Sequence, residues 1–273
     1  MDRSLVRYYR TAENYRRYLV SDPARPAELE RFFHAHRRYF GRSVLDLGCG
    51  GGVLESIVAR TGRRYVGVDL HPDMLRAARA AARARGSTAR FLRGDIARFR
   101  VEGRFDTLTL LGNALGHLSA VEMVEMLRLR AGNVHRGSTF LLDYRDVVGM
   151  FWRGSWNRGA FVQRHKRGTI VSQTRSVDLE GGRIHIQARP TSGRWSVEFT
   201  QSIWSAFVLE ALMTAHGWKL VRRTPGRSVP DGRPEPDRWE DVYRFVARPD
   251  RPVSRGSAPS IGNRRAVRAV RGG

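Results

Sequence analysis

The densest cluster of residues able to do chemistry is Asp46-Leu47-Gly48-Cys49-Gly50-Gly51-Gly52. Glycines at this spacing let a backbone turn sharply and approach a ligand with no Cβ in the way. A dinucleotide fingerprint would need its third glycine at position 53, which is Val53, and would carry no acid two residues before the first glycine. The loop stands between a predicted strand and helix, the context a nucleotide loop requires, but departs from that fingerprint. Two acids further along bear on what it binds. Asp69 closes an apolar run, where a carboxylate can accept hydrogen bonds from both ribose hydroxyls. Asp95 follows the next run, within Gly94-Asp95-Ile96. Cys49 is read as a small residue fitted beside the ligand rather than as a nucleophile.

These residues need strands that end where they stand. Val44 to Leu47 reads as a strand, Gly48 to Gly52 as a turn and Val53 to Ala59 as a helix. Tyr65 to Val68 is a second strand. Pro72 to Arg85 is an Ala/Arg helix with proline at its start and Gly86 after its end. Phe91-Leu92, Phe105 to Leu111 and Thr139 to Leu142 are further strands, with Val121 to Ala131 a helix before the last. Strands alternating with helices imply right-handed βαβ units and a parallel sheet buried on both faces. From Ala160 to Ser202 the helical period disappears and three or four antiparallel strands are expected, broken at glycines. A helix from Ser205 to His216 follows, then strands at Trp218 to Arg223 and Asp241 to Ala247 with a Pro/Gly-rich charged loop between them.

Composition bounds the function. The 273 residues include 41% hydrophobic residues and six tryptophans, so the body can bury a core. A single cysteine excludes a disulfide framework and a Cys-cluster zinc site, and no metal site is expected. No signal-like or membrane-spanning apolar run is seen, which makes a cytoplasmic protein the default. The formal charge is +23, yet only Lys166 and Lys219 are lysines among 49 basic residues. So strong a skew towards arginine suits a compositional bias as well as a phosphate-binding surface. Residues 249–273 hold six arginines and one acid; without them the charge is still +18. A basic surface favours anionic partners, so nucleic acid is kept as an alternative partner.

With its ordered acids, the glycine loop resembles the first motif of class I S-adenosylmethionine-dependent methyltransferases. The resemblance implies a doubly wound, seven-stranded, mostly parallel α/β sheet with a small antiparallel β insert after the fifth strand. Along the chain it implies a helical cap over 1–42 and a methyltransferase domain over 43–248 with a lid insert at about 155–204, while the Pro, Gly, Ser and Arg composition of 249–273 reads as a basic, disordered tail. S-adenosyl-L-methionine is the cofactor it implies, held by Asp46, Gly48, Gly50, Gly52, Asp69, Leu70, Asp95, Ile96 and Leu111. In that set Asp95 accepts from the adenine amino group, with Ile96 against the ring.

Leu111-Gly112-Asn113-Ala114-Leu115-Gly116-His117-Leu118 and Asp143-Tyr144-Arg145-Asp146 look like segments of the glycine/sarcosine N-methyltransferases. Carried over, Asn113 orients the acceptor and Arg145 binds its carboxylate, since a guanidinium can hold both oxygens. Tyr18 and Arg25 resemble a Tyr and Arg that close over the cofactor and hold its carboxylate. Tyr144 and Asp146 depart from that family's His and Asn. His117 is read as a packed histidine, and Trp195 and Trp204 as core residues. The expected activity is methyl transfer to a small acceptor, an amine nitrogen of a molecule such as glycine or sarcosine, by in-line displacement relying on orientation. Alternatives are another small amine or hydroxyl acceptor, a nucleic-acid methyltransferase, which would be expected to show an Asn-Pro-Pro-Tyr-like segment after the fourth strand, and a cofactor-binding protein without turnover.

Overall fold

A computed structural model of the chain describes residues 24–152, 161–165, 168–193, 195–227 and 234–246. Helix α1 (Ala24–His36) leads through a short 3-10 turn into β1 (Ser43–Leu47), α2 (Val53–Val58), β2 (Arg64–Asp69), α3 (Pro72–Ala84) and β3 (Arg90–Arg93). Then come β4 (Thr107–Leu110), a 3-10 turn (Ala114–His117), α4 (Ala120–Arg130), β5 (Thr139–Arg145) and α5 (Val147–Trp152). A four-stranded antiparallel sheet follows, β6 (Phe161–His165), β7 (Gly168–Asp178), β8 (Arg183–Pro190) and β9 (Val197–Ser202). The chain returns through α6 (Ala206–Ala215) to β10 (Trp218–Arg227) and β11 (Pro234–Phe245).

The main sheet has seven strands in the order β10-β11-β5-β4-β1-β2-β3. Strands β1 to β5 are parallel, and β11 runs antiparallel between β5 and β10. From β1 the chain winds outward through β2 and β3, then returns to β4 on the other side. Strand order therefore reverses between β1 and β4, and the crevice beyond their carboxyl ends is where such sheets bind ligands.

Period-two alternation divides the strands between two cores. Val44, Leu141 and Val242 face α1, α2 and α3, packing with Phe32, Phe33, Leu54 and Leu75. Leu45, Leu47, Phe140, Leu142 and Tyr243 face α4 and α6. Helix α1 is thus continuous with the sheet's core. A capping box joins Ser119 to Glu122 at the start of α4, satisfying two amino-terminal groups reciprocally. Trp204 is buried, its indole N–H donating to the Leu118 carbonyl, while Trp195 packs against the small sheet's own apolar cluster.

The expected elements are present with shifted ends. The fourth strand is shorter than Phe105 to Leu111, and the last two strands extend well into the stretch read as their connecting loop. Helix α5 was not anticipated: Asp146 Oδ1 accepts the Gly149 N–H, so the residue that departs from the resembled motif caps a short helix. Tyr18 and the tail over 249–273 lie outside the described residues.

Candidate functional site

The glycine loop leaves β1 at the switch point. Gly48, Gly50 and Gly52 all take positive φ, at 78°, 52° and 77°. At Gly52 a Cβ would also stand 3.0 Å from Ala78 and 3.2 Å from the Phe91 ring. At Gly50, by contrast, a Cβ would meet nothing within 4 Å, so the loop's crest faces open space. The Gly48 and Cys49 amides donate to the Val68 carbonyl, at 2.8 and 3.1 Å, which fastens the loop to β2.

Asp69, at the end of β2, stands directly beside that loop. Its Oδ2 accepts the Gly50 N–H and its Oδ1 the His71 N–H, both at 2.8 Å. Each carboxylate oxygen can accept more than one hydrogen bond, so a diol can be held by the same pair of atoms. Burial raises the Asp69 carboxyl above its ordinary value, opposed by those backbone N–H groups. The Gly94 N–H reaches the Asp69 carbonyl, bringing the third acid alongside, and Asp95 Oδ1 accepts the Ala97 N–H at 3.0 Å. Ile96 and Leu111 are buried and Leu70 is half-buried, giving apolar surface near these acids.

Asp46 is placed differently. Its carboxylate is buried beneath the loop, accepting the Thr109 hydroxyl at 2.6 Å and the Tyr65 hydroxyl. Burial raises its pKa, and the two hydroxyls and Arg25 oppose the rise. The geometry makes Asp46 a brace joining β1, β2 and β4 under the loop. Cys49 is also buried, close enough that Gly67 could not carry a Cβ, and burial with Asp46 and Asp69 pushes its thiol well up. Such a thiol is a poor nucleophile.

The other wall of the crevice is built at the ends of β4 and β5. Gly112 has φ 80°, and a Cβ there would stand 2.6 Å from the Arg25 guanidinium, so α1 closes over the end of β4. Asn113 is the single non-glycine residue with positive φ among the described residues, at 59°. Asn tolerates this region better than most residues, but the conformation still needs support. Support comes from both sides: its N–H donates to Asp143 Oδ1 at 2.9 Å, and its Oδ1 accepts the Arg145 N–H at 3.3 Å. Its Nδ2 and the Gln201 side chain of β9 both lie beside Gly116, so the small sheet borders this wall.

Asp143 anchors a charge network that sequence reasoning missed. Arg238 of β11 bridges Asp143 and Glu28 of α1, and Glu28 also takes Arg25 at 2.9 Å. Burial would raise the Asp143 carboxyl, but Arg238 and Arg25 outweigh it and hold the group below its ordinary value. Asp143 and Glu240 stand directly opposite on β5 and β11, a like-charge pair that would repel. Arg238 relieves one, while His36 and Arg31 take the other at 2.9 and 3.4 Å. Asp143 was visible in the motif beside Arg145; Arg238 carried no local signal, because only β11 pairing brings it there.

A family model described as a methyltransferase domain matches residues 44–134. A ubiquinone biosynthesis O-methyltransferase of Methylobacterium nodulans is 32% identical over 199 residues, 66% of this chain and 73% of that protein. The chain belongs to the S-adenosylmethionine-dependent methyltransferases. A cypemycin N-terminal methyltransferase of a Streptomyces species is 30% identical over 168 residues, 61% of this chain and 67% of that protein. With another ubiquinone biosynthesis O-methyltransferase the chain spans 35% of the relative's length. Among solved structures, an S-adenosylmethionine-dependent methyltransferase from Clostridium acetobutylicum has TM-score 0.65 at 15% identity, covering 88% of this chain and 99% of that one.

The methyltransferase's crevice fits its cofactor on its own chemistry: an open glycine crest, a ribose-competent carboxylate and a buried apolar floor. Tyr144 does not join the rim. It points into the opposite core, and its hydroxyl donates to Asp241 at 3.1 Å. His117 ends the 3-10 turn after Asn113, and burial pushes its imidazole down to about 4. Among the described residues no helix is long and apolar enough to cross a membrane.

Proposed function

We propose that this enzyme methylates an amine nitrogen of a small, carboxylate-bearing acceptor such as glycine or sarcosine. The observation that carries the reading is the Asn113–Arg145 pair, joined by the Arg145 N–H to Asn113 Oδ1 hydrogen bond, at the strand ends beside the glycine loop. S-adenosylmethionine, when bound, supplies a methyl group on a positively charged sulfur. Gly48, Gly50 and Gly52 shape its cradle, Asp69 accepts from the ribose, and Asp95 with Ile96 holds the adenine. Leu70 and Leu111 supply apolar surface, Asp46 braces the loop, and Arg25 closes over the methionine end.

The chain's own residues then have modest tasks, because the donor is already activated. They must align the acceptor and exclude water. Arg145 holds the acceptor's carboxylate, Asn113 orients its nitrogen, and the small sheet closes the side through β9. The amine attacks as the neutral base. His117, in the turn after Asn113, stays neutral across the physiological range. A second reading, a hydroxyl acceptor, is favoured by the O-methyltransferase relative. Acceptor kinetics with Arg145→Ala separate the two. A large rise in KM for a carboxylate-bearing amine, with cofactor affinity unchanged, supports the amino-acid reading. An unchanged KM removes Arg145 from the acceptor site.

A further inference from the structure

Far from the methyl-transfer rim, α1 runs out over the amino ends of β1 and β2. There His34, Arg37, Arg38, Phe40, Arg63 and Arg222 line an open cleft of about 620 Å³, with Ala35 on its wall and no carboxylate among the lining residues. We propose that this cleft is a second binding site, separate from the cofactor crevice, for a diphosphate group, either free or carried on a nucleoside.

Arginine is so abundant in this chain that a cluster alone would mean little. What marks these four is that they meet in one cleft with no acid among its lining residues. Several arginines elsewhere are matched with acids, Arg31 with Glu240, Arg60 with Glu30, Arg98 with Glu125 and Arg223 with Asp241, while others such as Arg64 and Arg79 donate singly to backbone carbonyls. In the cleft, Arg63 donates to the Gly41 and Phe40 carbonyls, at 3.0 and 3.3 Å, and lies over the Phe33 ring. Arg38 donates to the Tyr39 hydroxyl at 2.7 Å and lies over the Tyr39 ring. Neutral acceptors and aromatic faces fix these guanidiniums without cancelling their charge. Arg37 is exposed and Arg222 half-buried on this lining, and Arg222 also borders a smaller neighbouring hollow that Glu240 lines.

The end of α1 would ordinarily disfavour an anion, since helix carbonyls point outward there. Arg63 occupies the carbonyls that follow. Several guanidiniums in one cleft exceed what a single carboxylate would neutralise, whereas a diphosphate offers matching charge and paired oxygens for planar forks. The cleft is shallow and open, and its volume of about 620 Å³ is in the range of small-molecule sites. Strand β2, five steps at about 3.3 Å, separates Arg64 at this end from Asp69 at the cofactor end by roughly 17 Å.

The test is calorimetric titration of the full chain, saturated with S-adenosylhomocysteine to occupy the crevice, with inorganic pyrophosphate and with ADP. Both should bind, and Arg37→Gln/Arg222→Gln should weaken them at least tenfold without changing S-adenosylhomocysteine affinity. Arg60→Gln/Arg98→Gln removes the same charge elsewhere and should change little. Equal affinities for the two probes support a free diphosphate; tighter ADP binding supports a nucleoside-borne one. Absence of binding, or equal weakening by both double variants, overturns the proposal. So does a short single-stranded RNA that binds through Arg37 and Arg222 when pyrophosphate does not.

Discussion

Replacing Arg238 with glutamine should expose how the Asn113 wall of the crevice is held. The guanidinium is 14% exposed and bridges Asp143, 3% exposed, and Glu28. Removing one partner of a buried pair leaves an uncompensated charge, with a typical cost of about 3–5 kcal/mol. Arg25 still faces Asp143, which places the expected loss at the lower end of that range. The loss should depend on pH with a definite sign. In the native enzyme Asp143 is held below its ordinary value, so its ionised form stabilises the fold above about pH 4 and is lost as pH falls through its native pKa. Without Arg238, burial dominates and the carboxyl moves up. The folded variant then gains a proton on acidification before the unfolded chain does, and the deficit shrinks. Urea denaturation at pH 7.5 and pH 5 should therefore show a larger deficit at the higher pH. Asp143→Asn in the same background should recover about 0.5–3 kcal/mol relative to the sum of the single losses. A deficit below about 1 kcal/mol, or one equal at both pH values, would refute the reasoning.

Other outcomes follow from the same geometry. Gly52→Ala combines a positive φ with a Cβ 3.0 Å from Ala78, so it should lower stability by about 1–2 kcal/mol and abolish measurable S-adenosylhomocysteine binding by calorimetry. Asp69→Asn keeps the shape but removes a charged acceptor worth about 1.5–3 kcal/mol, so cofactor affinity should fall at least tenfold, and because the amide NH2 must face either the Gly50 or the His71 N–H the melting temperature should fall as well. Asn113→Ala should lose both activity and stability, while Asn113→Gly, relaxed at φ 59°, should regain stability but not kcat. His117, held neutral down to about pH 4, should make the fold less stable as pH falls below about 6.5, because the unfolded chain takes up a proton the folded one refuses; His117→Gln should flatten that slope in denaturation curves.

Much of the cofactor half was legible because its signals are local. A strand, a glycine turn and a helix follow one another in sequence, and Asp69 and Asp95 sit at the ends of runs whose apolar character marks a doubly buried sheet. The proposed acceptor half was legible only along β4 and β5. Asn113 and Arg145 stood out in their motifs, but the groups that hold them are distant: Arg238 lies 95 residues from Asp143 and arrives through antiparallel pairing of β11. Its stretch, rich in proline and charge, read as a loop, because register between separate strands is set by tertiary packing rather than by neighbouring residues. Asp46 shows the converse. Its place in the motif suggested a ligand contact, whereas the Tyr65 and Thr109 hydroxyls that occupy its oxygens come from flanking strands.

The most direct test of the proposed activity is transfer of a labelled methyl group from S-adenosylmethionine to a matched set of acceptors. The set is glycine, sarcosine, sarcosine amide lacking the carboxylate, and a catechol offering only hydroxyls. Label should appear on the nitrogen of glycine or sarcosine, with kcat/KM falling at least tenfold for the amide and with Arg145→Ala narrowing that difference. Label on the catechol alone, or equal transfer to sarcosine and its amide, would contradict a carboxylate-recognising N-methyltransferase.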